Sequence, residues 1–231
     1  MSYLLQNIKY LRNEKNISAA EFKKSCRLTA SAAKIKSGKF VPSPDELIRI
    51  SEILNCPADK LLKSDIAGDR KKIKNFRMDL LALDVDGVLT DGGMHYTQKG
   101  DEFKKFSTKD GLAIIKMVDA GHRVAFISSG VNDRIIKERA KHLGVQYVYV
   151  GTWKKLEILE KWCKELKTDL SHVAYIGDDM NDIRVINKVG LSACPANAAL
   201  KVKLAATVVL DRKGGKGCVR EFIERFVMEI L

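Results

Sequence analysis

Leu80-Leu81-Ala82-Leu83-Asp84-Val85-Asp86-Gly87-Val88-Leu89-Thr90 is the stretch on which the fold of this chain turns. Its apolar run, Leu80 to Val85, meets an acid-x-acid-glycine turn. This reads as a strand buried on both faces that delivers two carboxylates at its end. Similar short runs recur at Val124 to Ile127, Tyr147 to Val150, Val173 to Ile176 and Thr207 to Leu210, with amphipathic helical stretches between most of them. Strand and helix in alternation predict an α/β parallel sheet with helices on both faces. In such sheets the ligand site lies beyond the carboxyl ends of the strands, so the residues just after each run are the ones that matter.

Two carboxylates two residues apart on an extended segment, Asp84 and Asp86, point the same way. They repel unless a cation lies between them or one is protonated. The other run ends carry complementary groups. After the second run comes Ser128-Ser129-Gly130, a hydroxyl followed by small residues whose backbone can approach an anion. The third leads into Gly151-Thr152-Trp153-Lys154-Lys155, and the fourth into Gly177-Asp178-Asp179-Met180-Asn181-Asp182. One sheet edge therefore collects acids for a divalent metal together with a hydroxyl and a lysine for a phosphoryl group.

Working outward, 231 residues with 45% apolar and 30% charged side chains suit two folded domains rather than disorder. No stretch approaches the ~18 consecutive apolar residues that span a bilayer, and the start of the chain lacks the apolar core of a signal peptide. The expectation is a cytoplasmic protein with no membrane partner. Cys26, Cys56, Cys163, Cys194 and Cys218 are scattered and odd in number, which argues for buried thiols over disulfides or a zinc site.

The net charge of +12 is unevenly spread. Residues 1–77 hold 17 Lys and Arg against 8 Asp and Glu, a net of +9, while residues 78–231 hold 24 against 21, a net of +3. The basic portion has helical periodicity at Leu4, Leu5, Ile8 and Leu11, then a cap at Ser18 with Glu21 three residues on. A second cap at Leu28-Thr29 opens a helix over Ala30 to Lys36 that Gly38 ends. Helices through Leu47 to Leu54 and Pro57 to Leu62 close the segment. Across about 60 residues it resembles the repressor-type helix-turn-helix domain. That resemblance implies DNA binding through Thr29, Ala30, Ser31 and Lys34. Because the recognition segment is mostly alanine, with few hydrogen bonds to offer bases, a role in assembly or partner binding stands beside it.

Taken in order, Asp84-Val85-Asp86-Gly87, Ser128, Lys155 and Gly177 to Asp182 resemble the four motifs of the haloacid dehalogenase superfamily of phosphatases, over residues 78–231. The resemblance implies that Asp84 attacks phosphorus to form an aspartyl-phosphate, and that Asp86 protonates the leaving alkoxide and then activates water. It implies Mg²⁺ held by the side chains of Asp84 and Asp178 and the backbone carbonyl of Asp86. Ser128 and Lys155 would bind the phosphoryl group, with Asp179 and Asp182 in support. Lys155 is preferred to Lys154 because it directly precedes Leu156-Glu157, as the motif lysine does.

Fewer than 20 residues separate Thr90 from a helix starting near Asp110, and the turn signals Gly92-Gly93 and Lys99-Gly100 make that insertion a small β-hairpin. With Val88 to Gly92, Phe106 to Gly111, Ala174 to Asp179 and Gly214 to Gly217 before Val219-Arg220-Glu221, the chain is similar to the capless 3-deoxy-D-manno-octulosonate 8-phosphate phosphatases and their nine-carbon sialic-acid-type relatives. The similarity implies an eight- or nine-carbon 2-keto-3-deoxy sugar acid phosphate as substrate and a homotetramer in which one subunit's hairpin closes the next subunit's site. Glu102, Lys105 and Lys109 are candidates to contact the sugar acid. Gly214 to Gly217 reads either as a flap over the site or as the start of the last helix. The expected architecture is thus a small all-α helix-turn-helix domain at 1–64, a linker at 65–77, and at 78–231 a Rossmann-like parallel sheet of the haloacid dehalogenase fold. A DNA-binding regulator that senses a sugar phosphate is the competing function.

Overall fold

The computed structural model describes residues 3–29, 40–63, 65–66, 68, 73, 76–152 and 154–227. The chain divides into two compact units, residues 1–75 and 76–231. Among the described residues no helix is long and apolar enough to cross a membrane. All five cysteines are buried free thiols.

In the first unit, helices run over Leu4–Glu14, Ala19–Ser25, Pro44–Leu54 and Ala58–Lys63. Leu4, Ile8 and Leu11, on one face of the first, pack with Phe22, Cys26, Ile50, Leu54 and Leu61. The Ser18 side chain accepts from the Glu21 N–H, satisfying one donor that a helix start leaves orphaned. The Pro44–Leu54 helix opens with a reciprocal capping box between Ser43 and Glu46. Glu46 is buried because it has more to hold: its Oε1 also accepts from the Thr29 N–H at 2.8 Å and hydroxyl at 3.0 Å. The backbone donors of Thr29 and Ser43 keep its carboxyl below the usual carboxylate range. Buried Asn7 clamps the far end, donating to the Leu61 carbonyl and accepting from the Ile66 N–H. Ala30, Ser31, Lys34 and the helix expected around them lie outside the described residues.

The second unit is built on a six-stranded sheet with order β5-β4-β1-β6-β7-β8, every neighbouring pair parallel. Its strands are β1 (Leu80–Asp84), β4 (Val124–Ser128), β5 (Tyr147–Val150), β6 (Val173–Ile176), β7 (Leu191–Cys194) and β8 (Val208–Val209). Strand β7 was not among the expected runs. Two short strands outside the sheet, β2 (His95–Tyr96) and β3 (Glu102–Phe103), pair antiparallel and make the expected hairpin. Helices at Thr108–Asp119, Asp133–His142, Lys155–Glu165 and Cys218–Phe226 join or follow the strands. β1 lies between β4 and β6, with Asp84 opposite Ile127 and Leu83 opposite Ile176. Every residue of β1, β4 and β6 is buried, as a parallel sheet covered on both faces requires. Asp84, Ser128 and the loop after Ile176 consequently emerge at one edge.

Gly214 to Gly217 form the turn into the last helix, with Gly217 as its N-cap. Gly214 and Gly215 press so closely on the backbone from Gly87 to Asp91 that a Cβ at either would collide with it. The Gly215 N–H donates to the Val88 carbonyl at 2.9 Å. Asp110, buried at the start of the Thr108–Asp119 helix, accepts from the Gly217 N–H at 3.1 Å and the Arg220 N–H at 2.8 Å. One carboxylate therefore caps the last helix across 110 positions of sequence. Asp110→Ala leaves both donors without a side-chain partner and is expected to cost about 2–3 kcal/mol of stability. Urea unfolding of the purified protein measures it, and a change within error of zero would remove Asp110 from that structural role.

Candidate active site

The site begins where β1 ends. The Asp84 side chain turns back to accept from the Val85 N–H at 2.8 Å, and the chain then winds through a wide turn closed by Thr90 N–H to the Val85 carbonyl at 3.0 Å. Gly87 takes a left-handed conformation with φ +85. A Cβ there would collide with the Asp178 carboxylate, so glycine is what lets the β1 and β6 loops approach.

Lys155, in the first turn of its helix, is 2% exposed. Its ammonium lies 2.8 Å from Asp84 Oδ1 and 2.7 Å from Asp182 Oδ1. Burial works against that charge, but the two carboxylates outweigh it and raise the lysine pKa. Asp182, fully buried, is entirely occupied: Oδ1 also accepts from the Tyr175 hydroxyl at 2.6 Å, and Oδ2 accepts from the Asp178 and Asp179 N–H groups at 2.8 and 3.2 Å. Asp84, Asp178 and Asp182 each bring a carboxylate oxygen within 4.8 Å of the others. Because Asp182 has no capacity to spare, Asp84 and Asp178 are the members of this group that could hold a metal. Burial, then the Asp182 charge, pushes the Asp178 carboxyl up to about 7, and the same causes in the same order drive Asp84 well above its ordinary value. Two carboxylates this close, with only one neighbouring ammonium, need a shared proton or a divalent cation. The residues fit a hard divalent ion.

The remaining expected site residues fall as follows. Ser128 is buried at the end of β4, its Oγ accepting from the Gly130 N–H at 3.0 Å. Asp179 is exposed and caps Met180. Lys154, Lys105 and Lys109 are exposed. Asp86 is partly exposed, and its Oδ1 lies 2.6 Å from the ammonium of Lys104, a residue the sequence reading passed over. Lys104 in turn sits 2.8 Å from Glu102. Tyr175 was also missed, since a phenol inside an apolar run looks like core. For Lys104 the available signal was strand alternation, which puts Glu102 and Lys104 on one face and Lys105 on the other.

A parallel sheet whose central strand delivers paired acids beside a buried lysine and a metal-ready carboxylate defines a phosphoryl-transfer site of the haloacid dehalogenase type. A model of the haloacid dehalogenase-like hydrolases matches residues 148–223, and a helix-turn-helix model matches residues 8–61. The 3-deoxy-D-manno-octulosonate 8-phosphate phosphatase of Haemophilus influenzae is 36% identical over 152 residues, covering 66% of this chain and 83% of that protein. The enzyme of that name from Moraxella catarrhalis, solved with magnesium, phosphate and the sugar acid, is 32% identical with a TM-score of 0.65, covering 70% of this chain and 91% of that one. A probable phosphatase from Pseudomonas syringae is 38% identical with a TM-score of 0.66, covering 70% and 90%. The chain belongs to this phosphatase family of the haloacid dehalogenase superfamily, and it carries an N-terminal helix-turn-helix domain.

The raised carboxyls make a prediction about stability. A group whose folded pKa exceeds its unfolded value stabilises the fold below the unfolded pKa and loses that contribution as pH rises through the folded one. For Asp178 this window runs from 3.8 to about 7. Metal-free protein is therefore expected to lose Tm between pH 5 and 8 relative to Asp178→Asn, and Mg²⁺ to raise the wild-type Tm more at pH 8 than at pH 5. Thermal unfolding with and without the ion checks both. Equal Mg²⁺ shifts at the two pH values would count against proton-linked binding.

Proposed function

We propose that this phosphatase hydrolyses 3-deoxy-D-manno-octulosonate 8-phosphate, an eight-carbon 2-keto-3-deoxy sugar acid phosphate, with Mg²⁺ and an aspartyl-phosphate intermediate. The observation that carries the reading is the buried Lys155 bridging Asp84 and Asp182 beside Asp178, in a chain 36% identical to enzymes of that activity. The magnesium, phosphate and sugar acid named for the Moraxella catarrhalis structure support both the metal and the substrate class.

In this mechanism Asp84 is the nucleophile. Lys155, paired with Asp84 Oδ1, holds the carboxylate that attacks phosphorus. Lys155 would balance the charge of the phosphoryl oxygens, and the Ser128 hydroxyl would donate a hydrogen bond to one of them. Asp86 gives its proton to the sugar oxygen as the P–O bond breaks, then takes one from the water that cleaves the aspartyl-phosphate and returns Asp84. The side chains of Asp84 and Asp178 and the Asp86 carbonyl would hold Mg²⁺, which when bound would help neutralise the charge of the incoming phosphate. Asp179 and Asp182 shape the loop.

The hairpin leaves Met94, Tyr96 and Phe103 more than half exposed, which fits a homotetramer where neighbouring subunits cover them and Lys105 and Lys109 reach a sugar carboxylate across the interface. The first unit, with its net charge of +9 over residues 1–77, would bind DNA through Thr29, Ala30, Ser31 and Lys34. The second unit's relatives are phosphatases, which favours catalysis over sensing as its role.

Phosphate release from the eight-carbon acid phosphate, measured beside hexose phosphates, is expected to need Mg²⁺ and to drop by at least about 10³-fold in Asp84→Asn. Preference for a hexose phosphate would overturn the substrate assignment while leaving the phosphatase intact.

A further inference from the structure

Lys104 stands immediately after β3, in the hairpin, and its ammonium is buried against the site with a side-chain exposure of 2%. It contacts two acids. Asp86 Oδ1 lies at 2.6 Å and Glu102 Oε1 at 2.8 Å, the latter an ion pair rather than a well-aligned hydrogen bond. A buried ammonium is strongly disfavoured unless paired, and these two carboxylates are the partners that hold it. The Thr90 hydroxyl, 3.5 Å from the same Asp86 oxygen, closes that side of the carboxylate. The other oxygen, Oδ2, faces the Ser128 to Gly130 turn, 3.8 Å from where a Cβ on Gly130 would stand. Asp86 is thus gripped through Oδ1, and Oδ2 is directed toward the side where Ser128 would meet the phosphoryl group.

We infer that Lys104 is a positioning residue that holds Asp86 in the rotamer needed for proton transfer, and that Glu102 serves by restraining Lys104 rather than by contacting the sugar acid. The inference rests on the reading of Asp86 as the proton donor and acceptor. Proton delivery requires the Oδ2–H of Asp86 to point at the ester oxygen as the P–O bond breaks. Without Lys104, the hydrogen-bond partner left to Oδ1 among the described residues is the Thr90 hydroxyl at 3.5 Å, and the carboxyl can rotate away. A misplacement of about 1 Å in such a group costs up to about 10²-fold in rate.

Leaving-group dependence separates this role from others. A p-nitrophenyl ester departs without a proton, whereas an alkyl phosphate needs one, so loss of the acid's position slows aspartyl-phosphate formation from the alkyl ester alone; kcat/KM reports that step, whereas hydrolysis of the aspartyl-phosphate, where Asp86 acts as base, is common to both esters. In the full-length protein with Mg²⁺, Lys104→Met is expected to lower kcat/KM on the eight-carbon acid phosphate, or on glycerol phosphate, by at least about tenfold. On p-nitrophenyl phosphate the loss of kcat/KM should stay within about threefold. Lys104→Arg should recover part of the loss, and Glu102→Gln should show a weaker version of the same split. Asp86→Asn is the reference, and its split should be the largest. Equal losses of kcat/KM on both esters would mean that Lys104 only supports the fold. A raised KM for the sugar acid with kcat intact would mean that it binds substrate. Either result overturns the inference while leaving Asp86 as the acid. If Asp86→Asn itself shows no split, the acid assignment fails, and this inference with it.

Discussion

Lys155 between Asp84 and Asp182 is the constraint on which the rest of the second unit depends. Breaking a buried ion pair by removing one partner costs about 3–5 kcal/mol, so an arrangement with three acids around one ammonium persists only where each remaining oxygen is occupied. Asp182 meets that condition through Lys155, Tyr175 and the N–H groups of Asp178 and Asp179. Those last two bonds curl the loop after β6 and so present Asp178 toward Asp84. Gly177 is part of the same geometry, because a Cβ there would occupy the space of the Asp182 side chain. Structure and proposed chemistry are not separable at this point: Lys155 pairs with Asp84 and, through Asp182, with the loop that presents Asp178 beside it.

Around that centre the loops are packed backbone to backbone. Gly87 makes room for Asp178, and Gly214 makes room for Gly87 and Thr90. The turn carrying Asp86 is therefore held from one side by the β6 loop and from the other by the approach to the last helix. Asp110 then ties the first turn of that helix to the helix following the hairpin. Rigidity at Asp84 and Asp86 is a product of several distant segments, each contributing a glycine or a carboxylate.

Much of this was readable because it is local. Acid-x-acid-glycine after an apolar run, a lysine opening a helix, and clustered acids after another run each announce themselves within a few residues, and the parallel sheet brings them together. Strand β7 was not readable. Leu191-Ser192-Ala193-Cys194 has small and polar residues where a buried strand usually has branched ones, and Ser192 is tolerated there because its Oγ meets the Thr207 N–H at 3.1 Å and hydroxyl at 3.2 Å. Glu46 and Asp110 were missed for a related reason. Their partners, Thr29 and the Gly217 to Arg220 turn, are distant in sequence, and a carboxylate that caps a remote backbone looks from the sequence like any other surface acid. Lys104 hides among neighbouring lysines until the hairpin shows which of them turns inward.

The hairpin sets a final constraint. Two residues in each strand are too few for independent stability in water. Stacking of His95 on Phe103, with ring centroids 5.1 Å apart, adds a little, but both belong to the hairpin and neither anchors it to the sheet. The anchor is Lys104, whose ammonium enters the site and meets Asp86. Because the same ion pair holds the insertion down and the carboxylate in place, the two cannot move independently: lifting the hairpin releases Asp86, and displacing Asp86 strands a buried ammonium. Its remaining apolar side chains, Met94, Tyr96 and Phe103, face outward and take no part in that grip. Through Lys104 the hairpin is the link between the surface of this unit and Asp86.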